Sequence, residues 1–321
     1  MTVLILSSEN DLHASRVAAK LDLLREPYQL LDIEDLLQGT CRFDLDKKTF
    51  EVAVQDKRLD MHSFTAVWNR RTRPIKSPRM PEEWVERLIA HESNKAWSGM
   101  LRAMNVLWVN RPDKQTEALL KIAQLNAAQQ CGLRVPPSVV TNDPALVRSF
   151  FDSCQGAVIY KLIDEGSWFH FPQTETPRGL ATMQLRNEDL RHLDQVRFSA
   201  HLFQKLIDKI ADIRVTIVGR KLFAARIESQ QGMGKLDFRL DYSVPISEFH
   251  LPDDIEASLY QLLGSLGLNF AAVDLCIDGN GDYYFFEANP AGQFLWIEEG
   301  LGLPICESLA RLLAGADEPL V

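Results

Sequence analysis

The chain has 321 residues, 46% hydrophobic and 25% charged, with a formal net charge of −9. At roughly 100–200 residues per domain this is two or three structural units with ample core. The ordinary composition excludes bulk disorder, a collagen repeat and a disulfide scaffold. An acidic balance argues against general nucleic-acid binding and against a polybasic membrane-peripheral protein, both of which use a basic surface.

The chain opens Met1-Thr2-Val3-Leu4-Ile5-Leu6-Ser7, an apolar run too short for a secretory segment, and no run approaches the ~18 residues of a membrane span. Five cysteines (41, 131, 154, 276 and 306) are an odd number without CxxC spacing. Zinc and a disulfide framework are therefore not expected, and a reducing cytoplasm is the expected setting.

In chain order, Val3 to Leu6 predicts a strand, 11–26 a helix and Tyr28 to Ile33 a second strand, together a βαβ unit and hence a parallel sheet. Phe43 to Val54 alternates like a hairpin, Thr65 to Trp68 is a strand, 82–103 a helix and Val106 to Val109 a strand. Arg111-Pro112-Asp113 is a junction, giving a first segment of 1–112. The second, 113–200, opens with one helix over about 114–130 that stops at Cys131-Gly132. Strand Ser138 to Thr141 follows, then a helix with Asp143 at N-cap and Pro144 at N1, then strand Ala157 to Leu162 carrying Lys161. Residues 164–185 read as a hairpin with a mobile tip. The third segment, 201–321, has a strand over Leu202 to Leu206 and a tight hairpin of Ile213 to Val218 and Leu222 to Ile227. A helix over 254–266, strands Phe270 to Ile277 and Asp282 to Phe286, and a helix over about 305–314 complete it.

The strongest chemical signal is a pair of carboxylates on the last hairpin. Asn280-Gly281 between apolar runs predicts a two-residue turn. That register sets Asp274 opposite Glu287, and Asn289 on the same face two residues on. Directly opposed like charges are destabilising, and these flank otherwise apolar strands. Both acids pair with Lys or Arg, or the register differs and each faces solvent, or together they hold a divalent cation, the reading that their apolar flanks and Asn289 favour. Oxygen ligands favour Mg²⁺ over zinc, and Ca²⁺ shares that ligand type.

Asp274 in its apolar strand, followed by Phe286-Glu287-Ala288-Asn289-Pro290 and Gly292, resembles the C-terminal signature of ATP-grasp ligases. The resemblance implies an α/β fold with a βαβ pre-ATP-grasp domain, a central domain and a C-terminal antiparallel-sheet domain. It implies ATP and Mg²⁺ as cofactors, with Asp274, Glu287 and Asn289 on the metal. Lys121 and Lys161 match the family's two ATP lysines. Gln204-Lys205-Leu206-Ile207 matches the adenine hinge, and the run from Asp212 to Gly219 the strand and turn after it. Ala66-Val67-Trp68-Asn69-Arg70-Arg71, Asp237-Phe238-Arg239 and Asn289-Pro290-Ala291-Gly292-Gln293-Phe294 are similar to the microviridin-type, or graspetide, peptide ligases. The departures are Asn69 where Tyr is frequent, Phe238 where Trp is frequent, and Lys205 where the hinge is commonly acidic.

The resemblance implies phosphorylation of an Asp or Glu side chain to an acyl phosphate, then attack by a Ser/Thr hydroxyl or Lys amine of the same ribosomal precursor peptide, whose leader is recognised separately. Arg214, Arg239 and Arg226 are the candidates for clamping phosphate or carboxylate, because the guanidinium fork suits bidentate oxyanions. Arg70, Arg71 and Arg73 either meet an acidic peptide or cap an acidic neighbour. Asp164-Glu165-Gly166-Ser167 is the nearest candidate for a phosphate-covering tip, and Trp168-Phe169-His170-Phe171 for a peptide-contact strand. A homodimer is implied by the family; no nucleic-acid or membrane partner is expected. Two other functions share the motifs: a ligase adding an amino acid to a carboxylate, like the ribosomal-protein glutamate ligases, and a nucleotide-binding module without turnover. Residues 262–321 hold nine Asp/Glu and one Arg, so the acidity concentrates around the expected metal site and the remainder is nearly neutral.

Overall fold

The computed structural model describes residues 2–54, 57–72, 74–163 and 182–321, with only the backbone of Leu37. Its first sheet is parallel. Strand β1 (Val3–Leu6) leads into α1 (Leu12–Leu24) and β2 (Tyr28–Leu31). Asp11 caps α1 by accepting from the Ala14 amide at 3.0 Å. A small antiparallel sheet of β3 (Thr40–Asp44), β4 (Thr49–Val54) and β5 (Lys57–Asp60) is inserted next. It contains the expected hairpin and adds a third strand that has no apolar run of its own. β6 (Ala66–Asn69), α2 (Glu83–Arg102) and β7 (Leu107–Val109) complete the parallel sheet, ordered β2-β1-β6-β7. β1 and β6 are buried along their whole length, which is why Val3 to Leu6 and Ala66 to Trp68 read as apolar runs.

The helix expected over 114–130 is two helices, α3 (Pro112–Ala118) and α4 (Lys121–Gln130). Leu120 between them is extended, at φ −71° and ψ 90°. The break starts α4 at Lys121 and turns that residue inward, where it is buried, while Leu119 and Leu120 face out. β8 (Ser138–Thr141), α5 (Pro144–Ser153), β9 (Val158–Lys161), β10 (Met183–Leu185) and β11 (His201–Lys205) follow. Asp143 accepts from Ala145 at the start of α5, as its sequence predicts. β9 and β10 pair antiparallel, and of the hairpin expected over 164–185 the structure describes only 182–185. Its tip, with Asp164 to Ser167 and Trp168 to Phe171, lies outside the described residues. β11 is hydrogen-bonded between β8 and β9, so the strand at the head of the third segment completes the sheet of the second.

The last sheet is antiparallel with order β14-β13-β12-β15-β16. Its strands are β12 (Lys209–Val218), β13 (Lys221–Ile227), β14 (Ile246–Phe249), β15 (Phe270–Asp278) and β16 (Tyr283–Asn289), with α6 (Asp253–Leu266) before β15. Helices α7 (Leu295–Leu301) and α8 (Ile305–Leu313) close the chain. One face of this sheet, with Ile213, Val215, Val273 and Leu275, packs on α4 and α6. The other carries Val218 and Phe270 at one end, packed with α8 and the parallel sheet. At its opposite end that face turns polar. Among the described residues no helix is long and apolar enough to cross a membrane.

Candidate active site

The polar end is a row across three strands. Arg214 on β12 is paired with Asp274 on β15, and Asp274 with Glu287 on β16. The acid pairing is the expected one, but the turn producing it is not. Asp278 pairs across to Asp282 around a three-residue loop, its Oδ1 accepting from the Asn280 and Asp282 amides at 2.9 Å each. Gly281 takes φ 86°, the left-handed residue such loops require. This turn pairs Ile277 with Tyr283 and Leu275 with Phe285. Continued without a break, it would set Glu287 against Val273, on the apolar face. A β-bulge at Phe286 adds one residue to β16 and returns Glu287 to the face of Asp274. Asn289, opposite Ala272, shares that face.

Both acids are ion-paired. Asp274 Oδ1 accepts from Arg214 Nη1 at 2.7 Å. Glu287 accepts from Lys121 Nζ and lies 3.6 Å from Arg239 Nη1. Arg239 is itself held by Asp237, Nε to Oδ1 at 2.8 Å and Nη2 to Oδ2 at 2.7 Å. The two carboxyls differ in proton affinity. Burial first, and the Glu287 charge as well, push Asp274 up to about 6 despite Arg214. Burial acts on Glu287 in the same sense, but Lys121 and Arg239 outweigh it and hold Glu287 well below the usual carboxylate range.

Asp274, Glu287, Asp237 and Arg239 line a cleft that is open to solvent. Lys161, Lys205, Leu206, Ile207, Asp212 and Arg239 share it with Asp274 and Glu287. Lys161 Nζ stands over the Phe286 ring at 4.8 Å, so the bulged residue supports the expected second lysine. In the hinge, the Lys205 and Leu206 amides donate to Pro137 and Ala157 at 2.8 Å each, which fixes its path. Gln204 is buried and its side chain donates to Ser138 at 2.9 Å, so it braces the hinge from behind and does not line the cleft. Asp212 is buried and takes Lys209 Nζ on both oxygens at 2.8 and 2.7 Å; burial raises its affinity for a proton.

Arg226 is the exception among the expected clamps. Its ladder partner is Ile213, so it stands on the opposite face from Arg214, and it pairs with Glu228 at 2.7 Å. The period of two that unites Arg214, Asp274 and Glu287 separates Arg226 from them. Arg70 is buried against the 291–292 carbonyls and Asp11, where it meets acceptors inside the fold. Arg73 lies outside the described residues. Three contributors had no expected role: Lys209, which neutralises Asp212; Asp237, which aims Arg239; and Phe286. Their signals are local, a Lys three residues before an apolar-flanked Asp, an Asp two before the Arg, and an aromatic next to the acid.

No family model matches the chain, and no curated protein matches it. Solved structures do. Macrocyclase MdnC of Microcystis aeruginosa MRC, solved with precursor peptide MdnA, is 25% identical at a TM-score of 0.88, with 99% of this chain and 100% of that chain covered. The fold is ATP-grasp. Macrocyclase MdnB of the same organism is 27% identical at a TM-score of 0.81, covering 97% and 98%. A Chryseobacterium gregarium RiPP-associated ATP-grasp ligase, in complex with ADP and a leader and core peptide, is 23% identical at a TM-score of 0.89, covering 99% and 98%. The ATP-grasp likeness therefore runs the length of the chain, the parallel N-terminal sheet included, and it lies with ligases of ribosomal-peptide maturation.

Proposed function

We propose that the chain is an ADP-forming ATP-grasp ligase that macrocyclises a ribosomal precursor peptide through its Asp or Glu side chains. The observation carrying this is the opposed pair Asp274 and Glu287 with Lys161 and Arg239 in one cleft beside the hinge, Asp274 being backed by Arg214. Two opposed carboxylates and the Asn289 carboxamide are an all-oxygen set suited to a hard cation, and the raised proton affinity of Asp274 marks a carboxylate short of positive charge. Asp274, Glu287 and Asn289 would hold Mg²⁺, which would neutralise charge on the ATP phosphates.

The chain's own residues do the rest. The hinge of Lys205, Leu206 and Ile207 borders adenine. Lys121 and Lys161 place point charges at the phosphates. Arg239, aimed by Asp237, and Arg214 orient the peptide carboxylate for attack on the γ-phosphorus, with ADP as leaving group. A Ser/Thr hydroxyl or Lys amine then attacks the acyl phosphate carbon and expels phosphate. Each ring thus removes one water from the peptide. A Ser/Thr nucleophile gives a microviridin-like ω-ester and a Lys nucleophile an amide. The protein acts as a cytoplasmic homodimer on a peptide with leader and core, without nucleic-acid or membrane partners; light scattering of the purified protein checks the dimer.

Intact-mass analysis of the precursor co-expressed with the chain tests the function. One water lost per ring, abolished by Asp274→Ala, is the expected result. An unchanged mass with the precursor encoded beside the gene overturns it, and a mass gain assigns instead the addition of an amino acid.

A further inference from the structure

The loop that follows Asn289 is gripped from the N-terminal segment. Arg70, just past the end of β6, is 1% exposed, and its Nη1 donates to the Ala291 carbonyl and, at 3.3 Å, to the Gly292 carbonyl. His13, in the first turn of α1, accepts at Nε2 from the Phe294 amide at 3.2 Å and the Leu295 amide at 3.4 Å. Its ring stands edge-on to Phe294, centroids 4.7 Å apart. One carboxylate serves both: Asp11 lies 3.7 Å from His13 Nδ1 and 3.5 Å from Arg70 Nε. The same loop touches the candidate metal site from the other side. Asn289 Oδ1 accepts from the Ala291 amide at 3.0 Å, and Arg214 Nη2 donates to the Gln293 carbonyl at 3.0 Å.

Stability does not account for this arrangement. A fully buried guanidinium is expensive, and apolar replacement of buried ionic groups is commonly neutral or stabilising. Among the described residues, Arg70 Nε and Nη2 make no hydrogen bond. What Arg70 achieves is directional, because it fixes the orientation of two successive carbonyls. Gly292 shows how little room the loop has: a Cβ there would collide with the Ala272 side chain and come within 3.0 Å of Arg214 Nη2. As an acceptor His13 must be neutral at Nε2, and burial, with Arg70 nearby, lowers its pKa to about 4.

We propose that Asp11, His13 and Arg70 are positioning residues for the ligase reaction: they hold the 290–294 loop so that Asn289 and Arg214 keep their places beside Asp274. The inference rests on the function proposed above. It makes the N-terminal segment a working part of the metal and phosphate site.

The test is calorimetric binding of ADP to the full chain across a Mg²⁺ titration, and in EDTA, with melting curves for each variant. Arg70→Met and His13→Phe are expected to raise the Mg²⁺ needed for half-maximal binding about 10-fold, the scale on which partners of metal ligands act. ADP binding in EDTA stays within about twofold on the same reasoning. His13→Gln, whose amide oxygen can accept from Phe294, restores most of the Mg²⁺ response. If Arg70→Met does not fold, Arg70→Lys and the His13 pair carry the test. An unchanged Mg²⁺ dependence, or an equal loss with and without metal, overturns the inference and leaves the function standing. Failure of the wild type to bind Mg²⁺ and ADP together overturns the function itself.

Discussion

The two faces of the sheet formed by β12, β15 and β16 are built from the same strands and differ in every respect that matters chemically. On one, Ile213, Val215, Val273 and Leu275 pack against α4 and α6 in a dry core. On the other, one residue along each strand, Arg214, Asp274 and Glu287 stand in a row, of which Asp274 and Glu287 line the cleft. The first face supplies the rigidity. The second uses it to hold two carboxylates of like charge side by side, which free chains would avoid. A single bulge at Phe286 determines which face receives Glu287, so the make-up of this face depends on one extra residue in an edge strand.

The comparison is broken most severely by Asp274→Asn. Ring formation is expected to fall by about 100-fold or more, the cost typical of removing a charge preorganised for the transition state, while the fold survives. Intact-mass time courses on the precursor measure it. Arg214→Met acts on stability as well as on ring formation. It leaves the buried Asp274 without its partner and is expected to cost about 3–5 kcal/mol in urea unfolding. A loss near zero would mean that Glu287 and its cations suffice to hold the row.

The proton affinity of Asp274 sharpens the comparison through pH. Its folded pKa of about 6 lies above the ordinary 3.8, so the native state keeps a proton that the unfolded chain has released. Its contribution is full below about pH 4 and is lost as pH rises to about 6. Glu287, held down by Lys121 and Arg239, has the opposite sign: its contribution is present above its ordinary 4.5 and lost on acidification. Urea midpoints at pH 4 and pH 6.5 separate them. Wild type should lose stability relative to Asp274→Asn on the order of 2 kcal/mol between the two. The smallest effect belongs to the other face. Arg226→Ala should leave ring formation within about twofold and stability within roughly 0.5 kcal/mol, since only a half-exposed pair with Glu228 is lost. A large loss of activity there would show that the two faces are not chemically separate.

Much of this was legible in the chain. Strands buried on both faces, such as Val3 to Leu6, declare themselves by unbroken apolarity, and Asp143-Pro144 declares a helix start by its capping chemistry. The acid pair was legible because carboxylates are expensive in apolar strands. Its register came out as expected for a reason that was only half right: the turn has three loop residues, and the bulge compensates. The break before Lys121 was not legible, because Leu119 and Leu120 suit a helix and only the burial of Lys121 against Glu287 explains the interruption. Arg226 looked as good a clamp as Arg214, because a guanidinium in a strand carries no mark of which face it occupies.

The sequence by itself determined the elements, the chemistry available and the resemblance of motifs, since propensity, capping and the cost of isolated charge act over a few residues. Only the tertiary structure decided the partners. Lys121 comes from 166 residues away to Glu287, Arg70 from 221 residues away to Ala291, and Arg214 from 60 residues away to Asp274. Such pairings are set by how sheets and helices pack, and local sequence carries no record of the distant charge each one answers.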